Sequence, residues 1–236
     1  MNTIEYRGIT NIEVMDKKSN INLLPLISEE EKLVIEKFFA EHPELKNKDQ
    51  LDKINKYEFS SGVFDPNEPW IQTYSGQRFT PLNPKPETIV IQDIARALSM
   101  QCRFNGHVKE FYSVAQHSVL VSYLCDWKDR LWGLLHDAGE AYISDFSRPL
   151  KYSGKFENYR EVEAKLMAAI CIRFSLPKEE PESVKLADKL LLATEGRDIL
   201  NCKRTDWFNK EPTPFKISPL SPADVKYYFL VDSMIL

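Results

Sequence analysis

Histidine and cysteine are both scarce in this chain, with four of each in 236 residues. The cysteines, Cys102, Cys125, Cys171 and Cys202, are widely spaced and form no Cys-x-x-Cys pair, which argues against a disulfide framework and against a zinc ribbon. Three of them fall in or beside stretches that read as helical, where cysteine serves as a small core hydrophobe. No apolar run approaches the roughly 18 residues that suggest a membrane span, and the opening MNTIEYRGITNIEVMDKKSN has no apolar core of the kind a signal peptide carries. A cytoplasmic, reducing location is the expectation, with no membrane partner. Excess positive charge is lacking as well. The formal net charge of -4 argues against a protein built to coat a nucleic-acid polymer or to grip an anionic membrane. It leaves room for a small phosphorylated substrate held by a few local cations. Internal repeats and low-complexity tracts are also missing.

What is present fits one well-filled core with a small appendage. The chain is long enough for it, and 43% hydrophobic with 28% charged residues is ordinary for a soluble globular protein. Three of the four histidines, His107, His117 and His136, fall between Arg103 and Asp145. Asp137 follows His136 directly, and further carboxylates stand at Glu140 and Asp145. Ser113 followed by Gln116 is a capping box, which predicts a helix from about Val114. Val114, His117, Val121 and Leu124 then recur at helical spacing, placing His117 on the inward face. Asp126 and Asp129 read as caps of a second helix. Its stripe of Trp127, Leu131, Leu134, Leu135 and Ala138 points to the core, with His136 and Asp137 near its end. Two short antiparallel helices would bring His117 towards the His-Asp pair.

A further polar residue interrupts an apolar stripe in PESVKLADKLLLATEGRD. Pro181 suits a first helical turn, and Val184, Asp188, Leu191 and Leu192 share one face. A buried carboxylate without a partner is expensive, and a cation near Asp188 removes the problem. His117, His136, Asp137 and Asp188 together make a two-imidazole, two-carboxylate set suited to a divalent transition metal.

Elsewhere the reading is coarser. Residues 1–27 suggest a short strand or extended arm. Ser28 and Glu31 form a second capping box, opening a helix through EEKLVIEKFFAEH with Leu33, Phe38 and Phe39 on its apolar side, closed by Pro43. His42 stands at that helix end in a surface or capping role. A charged linker from Glu44 to Asp52 follows, then a proline-rich stretch in which TYSGQRFTPLNP reads as a small hairpin or ordered loop. A helix from about Gln92 with Ile94, Ala97 and Leu98 inward ends near Cys102, releasing Arg103 into a loop. After the proline-broken FSRPLKYSGK, a long helix spans about Phe156 to Phe174, with Tyr159, Val162, Leu166, Ala169 and Ile170 inward. An irregular wrap including Trp207 leads to a closing helix begun by Ser221, Pro222 and Asp224, with Val225, Phe229 and Met234 packing on the core.

The order His…His-Asp…Asp resembles the HD-domain metal-dependent phosphohydrolases. SGQRFTPLNP, IQDIARALSMQCRFNGH, YSVAQHSV, LLHDAGEAYISDFSRPLK and LADKLLLATEGRD resemble the branch containing bacterial 5'-deoxynucleotidases and phage deoxynucleotide phosphohydrolases, over roughly residues 70 to 220. Arg103, 14 residues before His117, matches that branch's catalytic arginine to within a residue. Glu140 and Asp145, three and eight places after Asp137, match its acidic positions. The resemblance implies an all-α fold: an HD-domain helical bundle over residues 67–236 and a small irregular N-terminal extension over residues 1–66. It also implies a homodimer, for which no interface signal is visible.

The chemistry expected of these residues follows. One divalent ion is anticipated, since binuclear relatives need more histidines than this chain offers, although His107 remains a candidate for a further role. Mn, Co, Mg, Zn, Fe and Ni are not distinguishable from such ligands. A divalent ion polarises a phosphoryl oxygen and acidifies water. Glu140, one helical turn from Asp137, reads as general acid or base, or else as a surface acid near a helix end. Asp145 reads as a support for the site or a sugar-hydroxyl contact. Arg103 can hold phosphate oxygens in a planar fork. Phe104 lies where it could pack on the sugar and disfavour a 2'-hydroxyl. His107 either binds phosphate or braces its loop, and Arg148 and Lys151 either add positive charge or belong to a solvated loop. The activity the resemblance implies is hydrolysis of deoxynucleoside 5'-monophosphates to deoxynucleosides and inorganic phosphate, in a bacterium or phage-infected cell. Two alternatives stay open: a deoxynucleoside triphosphate triphosphohydrolase, and a non-catalytic nucleotide-binding protein that uses the metal as a clamp.

Overall fold

The structure, a computed structural model, describes residues 29–43, 67–200 and 211–236. The expected arm, the Ser28 cap, the Glu44–Asp52 linker, Cys202 and Trp207 lie outside these residues, and so does one side of the expected boundary between residues 66 and 67. The chain divides into two compact units, Met1–Pro43 and Glu44–Leu236. Within the first, α1 spans Glu29–Glu41. Its end is turned by the His42 amide bonding to the Phe38 carbonyl at 2.9 Å, with the exposed His42 ring tilted against Phe38. Leu33 does not join an apolar side here, being 66% exposed.

The second unit is mostly helical, with one minor hairpin. The hairpin pairs β1 (Ile71–Gln72) with β2 (Arg78–Phe79), Ile71 opposite Phe79. Its turn is pinned by Ser75, whose amide and hydroxyl both donate to the Asp93 carboxylate at 2.6 and 2.9 Å. Asp93 belongs to the first turn of α2 (Ile91–Met100), where Ile94, Ala95 and Leu98 are fully buried. Phe79 stacks on Tyr142 with ring centroids 4.0 Å apart, so the hairpin covers the helix that carries Glu140.

At the centre lies α3 (Val114–Leu124), buried at every residue from Val114 to Ser122. It packs against α2, against α4 (Arg130–Leu135), against α8 (Glu182–Asp198) and against α9 (Pro222–Ile235). Ser113 caps it as expected, accepting from the Gln116 amide at 3.1 Å. The other half of the capping box does not form. The Gln116 side chain instead donates to the Ser218 carbonyl at 2.8 Å and accepts from the Leu220 amide at 3.0 Å, tying α3 to the segment before α9. Ser221 caps α9 through the Asp224 amide.

The antiparallel α3–α4 pair is close-packed. A Cβ on Gly133 would meet Cys125 Sγ at 3.0 Å and Ser122 Cα at 3.1 Å, so any larger residue there would need the two helices to shift by a few tenths of an ångström. The expected core stripe of the second helix needs correction at its start. Trp127 is 46% exposed, and Trp132 takes the buried place, its indole N–H donating to the Pro177 carbonyl at 3.0 Å. The reason is a tight 3-10 turn at Trp127–Asp129, whose different period breaks the register with α4. Nor does Asp129 cap α4; its carboxylate accepts from the Ser183 hydroxyl on α8 at 2.5 Å.

The remaining elements complete the body. The short helices α5 (Glu140–Ile143) and α6 (Arg148–Lys151) lead into α7 (Glu157–Arg173), which buries Leu166, Ala169 and Ile170 as its pattern predicts. Among the described residues, no helix is long and apolar enough to cross a membrane.

Candidate metal centre

Helices α3 and α4 meet at three side chains. His117, fully buried on α3, His136 at the C-terminal end of α4, and Asp137 beside it form a group whose ligand atoms all lie within 4.8 Å of one another. The two Nε2 atoms are 3.2 Å apart, and Asp137 Oδ2 stands 3.2 Å from His136 Nε2 and 3.8 Å from His117 Nε2. Asp188 of α8 brings Oδ1 to 3.3 Å from His117 Nε2. All four residues singled out from the sequence thus converge. Asp188 differs in one respect: its side chain is 37% exposed, so it forms the open edge of the group and is not the buried stripe residue anticipated.

The donor set can be tested by asking which way its lone pairs point. His117 Nδ1 lies 2.7 Å from Glu195 Oε1, and His136 Nδ1 lies 2.7 Å from the Gly133 carbonyl. Both partners accept only, so both Nδ1 atoms donate, and in the neutral rings both Nε2 lone pairs face inward. Two such lone pairs 3.2 Å apart repel unless a proton or a cation lies between them. Ligands about 2.1 Å from one ion at 90–110° would stand about 3.0–3.4 Å apart, close to the spacings seen here. A divalent cation therefore fits this group by chemistry and by distance.

Electrostatics point the same way. Burial disfavours charge on His136, but Asp137, Asp188 and the Gly133 carbonyl together outweigh it and lift the imidazole to about 9. Burial would raise Asp137, yet His136, His117 and Arg103 hold its carboxyl far below the usual range. Asp188, lifted by burial and lowered more strongly by His117 and His136, falls to about 2. The two carboxylates thus favour positive charge beside them, carried by a proton or by a cation.

Arg103 reaches the group from a loop closed by the Cys102–Ser113 bridge and by the Arg103 amide bonding to the Tyr112 carbonyl at 2.9 Å. Its Nη1 is 3.5 Å from Asp137 Oδ2, and its guanidinium faces Phe104 at 5.1 Å. Phe104, Asn105 and Gly106 follow in succession with φ of 55°, 53° and 79°, a left-handed run that is costly for its first two residues.

Glu140 opens α5, one turn after Asp137, its amide bonded to the Asp137 carbonyl at 3.0 Å. The Gln101 side chain holds the Glu140 carbonyl at 2.9 Å. Burial, then the neighbouring Asp137 and Asp145 carboxylates, push the Glu140 carboxyl well above its ordinary range. Asp145 is more exposed and shifts upward for the same two kinds of reason, burial first and Asp137 next. Lys151 is paired with Glu163 on α7. Arg148 is exposed and lies over the Tyr152 ring, and His107 is exposed at the end of its loop. His107 is not among the described residues that gather as candidate ligands.

Two residues at the site escaped the sequence reading. Glu195, fully buried, bonds His117 and also pairs with Arg103, Nε to Oε1 and Nη2 to Oε2 both at 3.1 Å. Its spacing of seven residues from Asp188, two turns of the same helix, was the available signal. Glu180, in the turn before α8, is half-buried. Burial raises its carboxyl, opposed first by His136.

No family model matches the chain. Two curated bacterial proteins are similar. The Escherichia coli K12 protein YfdR, described as uncharacterized, is 39% identical over 165 residues, spanning 68% of this chain and 92% of YfdR. RCAP_rcc00048 of Rhodobacter capsulatus, also described as uncharacterized, is 39% identical over 130 residues, spanning 51% of this chain and 65% of that protein. With YfdR matched along nearly its whole length, the chain belongs to the YfdR family.

Proposed function

We propose that the protein is a metal-dependent phosphohydrolase acting on deoxynucleoside 5'-monophosphates, releasing the deoxynucleoside and inorganic phosphate, with the helical unit arranged as an HD-domain bundle. The observation that carries this reading is the convergence of His117, His136, Asp137 and Asp188 from three helices. Beside them stand an arginine and a carboxyl group whose surroundings raise it well above its ordinary range.

His117, His136, Asp137 and Asp188 would hold the ion. A divalent cation there supplies Lewis acidity towards a phosphoryl oxygen and towards water. The rest of the chemistry belongs to the chain. Arg103 offers a planar fork of donors to phosphate oxygens, and binding an anion would replace its long 3.5 Å contact with Asp137. Glu140, its carboxyl raised by burial and by Asp137 and Asp145, would give a proton to the departing sugar oxygen, acting as general acid. Asp145, exposed beside this space, would meet a sugar hydroxyl. Phe104, beside Arg103, offers a flat apolar surface to the deoxyribose.

The test is a matrix of metal ions against nucleotides with the phosphate products identified. Orthophosphate from deoxynucleoside monophosphates supports the reading. Tripolyphosphate from deoxynucleoside triphosphates would replace it with a triphosphohydrolase. Binding of nucleotides with no product in any cell of the matrix would make the metal a clamp.

A further inference from the structure

One carboxylate serves both halves of the site. Glu195 is fully buried, and its two oxygens face His117 and Arg103, with the buried Tyr112 also interacting with the carboxylate. Oε1 accepts from His117 Nδ1 at 2.7 Å and also lies 3.1 Å from Arg103 Nε, while Oε2 accepts from Arg103 Nη2 at 3.1 Å. Its neighbours on α8, Leu191 and Ala193, bury apolar side chains. A charged carboxylate at such a position is costly unless both of its partners are held in return.

We propose that Glu195 is a positioning residue that sets the metal and the phosphate-binding arginine from a single origin. Through Oε1 it fixes the His117 tautomer with hydrogen on Nδ1, leaving Nε2 to face the ion. Through Oε2 it holds the tip of Arg103. That hold complements the bond from the Arg103 amide to the Tyr112 carbonyl, which fixes the backbone of the arginine but not its tip. The proposal rests on the phosphohydrolase reading only for what Arg103 binds. The His117 half stands on any divalent ion.

The division of labour between the oxygens makes the two obvious variants behave differently. In Glu195→Gln, the amide oxygen can keep the Oε1 place and go on accepting from His117. Its NH2 then faces Arg103 Nη2, donor against donor. The flipped amide would point its NH2 at both His117 Nδ1 and Arg103 Nε, which is worse. In Glu195→Ala both functions are lost.

The experiment measures two affinities without turnover, on the full chain: Mn2+ by chelator competition, and inorganic phosphate by calorimetry on Mn2+-loaded protein. Glu195→Ala is expected to lower Mn2+ affinity about 10–100-fold. Glu195→Gln is expected to keep Mn2+ within about threefold while weakening phosphate about tenfold. Melting of each variant without metal separates these effects from a loss of fold, and the glutamine variant preserves volume should alanine fail to fold. Mn2+ affinity in the alanine variant within twofold of wild type would overturn the proposal. So would a glutamine variant that loses Mn2+ while keeping phosphate. Because no nucleotide is hydrolysed, a wrong substrate assignment leaves the Mn2+ result readable.

Discussion

His117 and Glu195 are 78 residues apart in sequence, yet Nδ1 of one lies 2.7 Å from Oε1 of the other at the buried α3–α8 contact. That bond, with the matching one from His136 to the Gly133 carbonyl, turns two imidazole Nε2 atoms towards a common point. A ligand set with both tautomers fixed is preorganised, so losing one ligand should be felt strongly. Asp137→Ala is expected to strip the divalent ion at ordinary metal concentrations, read as metal per chain by plasma mass spectrometry. Retention of a full equivalent would show that Asp137 is not a ligand.

Glu140→Gln should separate metal binding from turnover. The amide keeps the size of the side chain, so fold and metal content are expected to stay as in the wild type. Turnover is expected to fall about 100- to 10,000-fold. In the wild type, activity is expected to fall as pH rises through the elevated pKa of the Glu140 carboxyl, if its acid form is the one that works. The glutamine variant should lack that limb of the profile. Normal turnover in the variant would remove Glu140 from the chemistry.

Metal affinity should depend on pH with a definite sign. His136 is lifted to about 9, because Asp137, Asp188 and the Gly133 carbonyl together outweigh the opposing effect of burial, so without metal its ring is charged at neutral pH. The ion and the proton compete for Nε2. Apparent Mn2+ affinity is therefore expected to rise by about tenfold per pH unit between pH 6.5 and 8.5, flattening near 9. A flat profile over that interval would mean that His136 binds no ion.

The α3–α4 crossing gives a stability prediction. Gly133→Ala places a methyl group 3.0 Å from Cys125 Sγ and 3.1 Å from Ser122 Cα, and the backbone contact cannot swing aside. Overpacking of this kind costs about 1–3 kcal/mol. Urea unfolding should show that loss, with a parallel loss of metal affinity as His136 moves away from His117.

Much of the cluster was legible because each candidate ligand breaks a local pattern: His117 interrupts an apolar helical stripe, Asp188 stands at the exposed edge of another, and His136 with Asp137 closes one. The Ser113 cap was legible for the same local reason, through its spacing to Gln116. Glu195 was not, since a glutamate in the last turns of a helix ordinarily faces water and only the fold brings it beside His117 and Arg103. Trp127 misled because a 3-10 turn does not share the period of the helix that follows it. Gln116 kept its place in the cap sequence but gave its side chain to residues 218 and 220, a pairing that no local window contains.

The most direct measurement is orthophosphate release from a deoxynucleoside 5'-monophosphate by chelator-stripped protein as Mn2+ is added back. Release is expected to be absent at first and to rise with Mn2+ to saturation, with Asp137→Ala silent throughout. Release that is indifferent to stripping, or absent after full metal loading with every deoxynucleoside monophosphate, would contradict it.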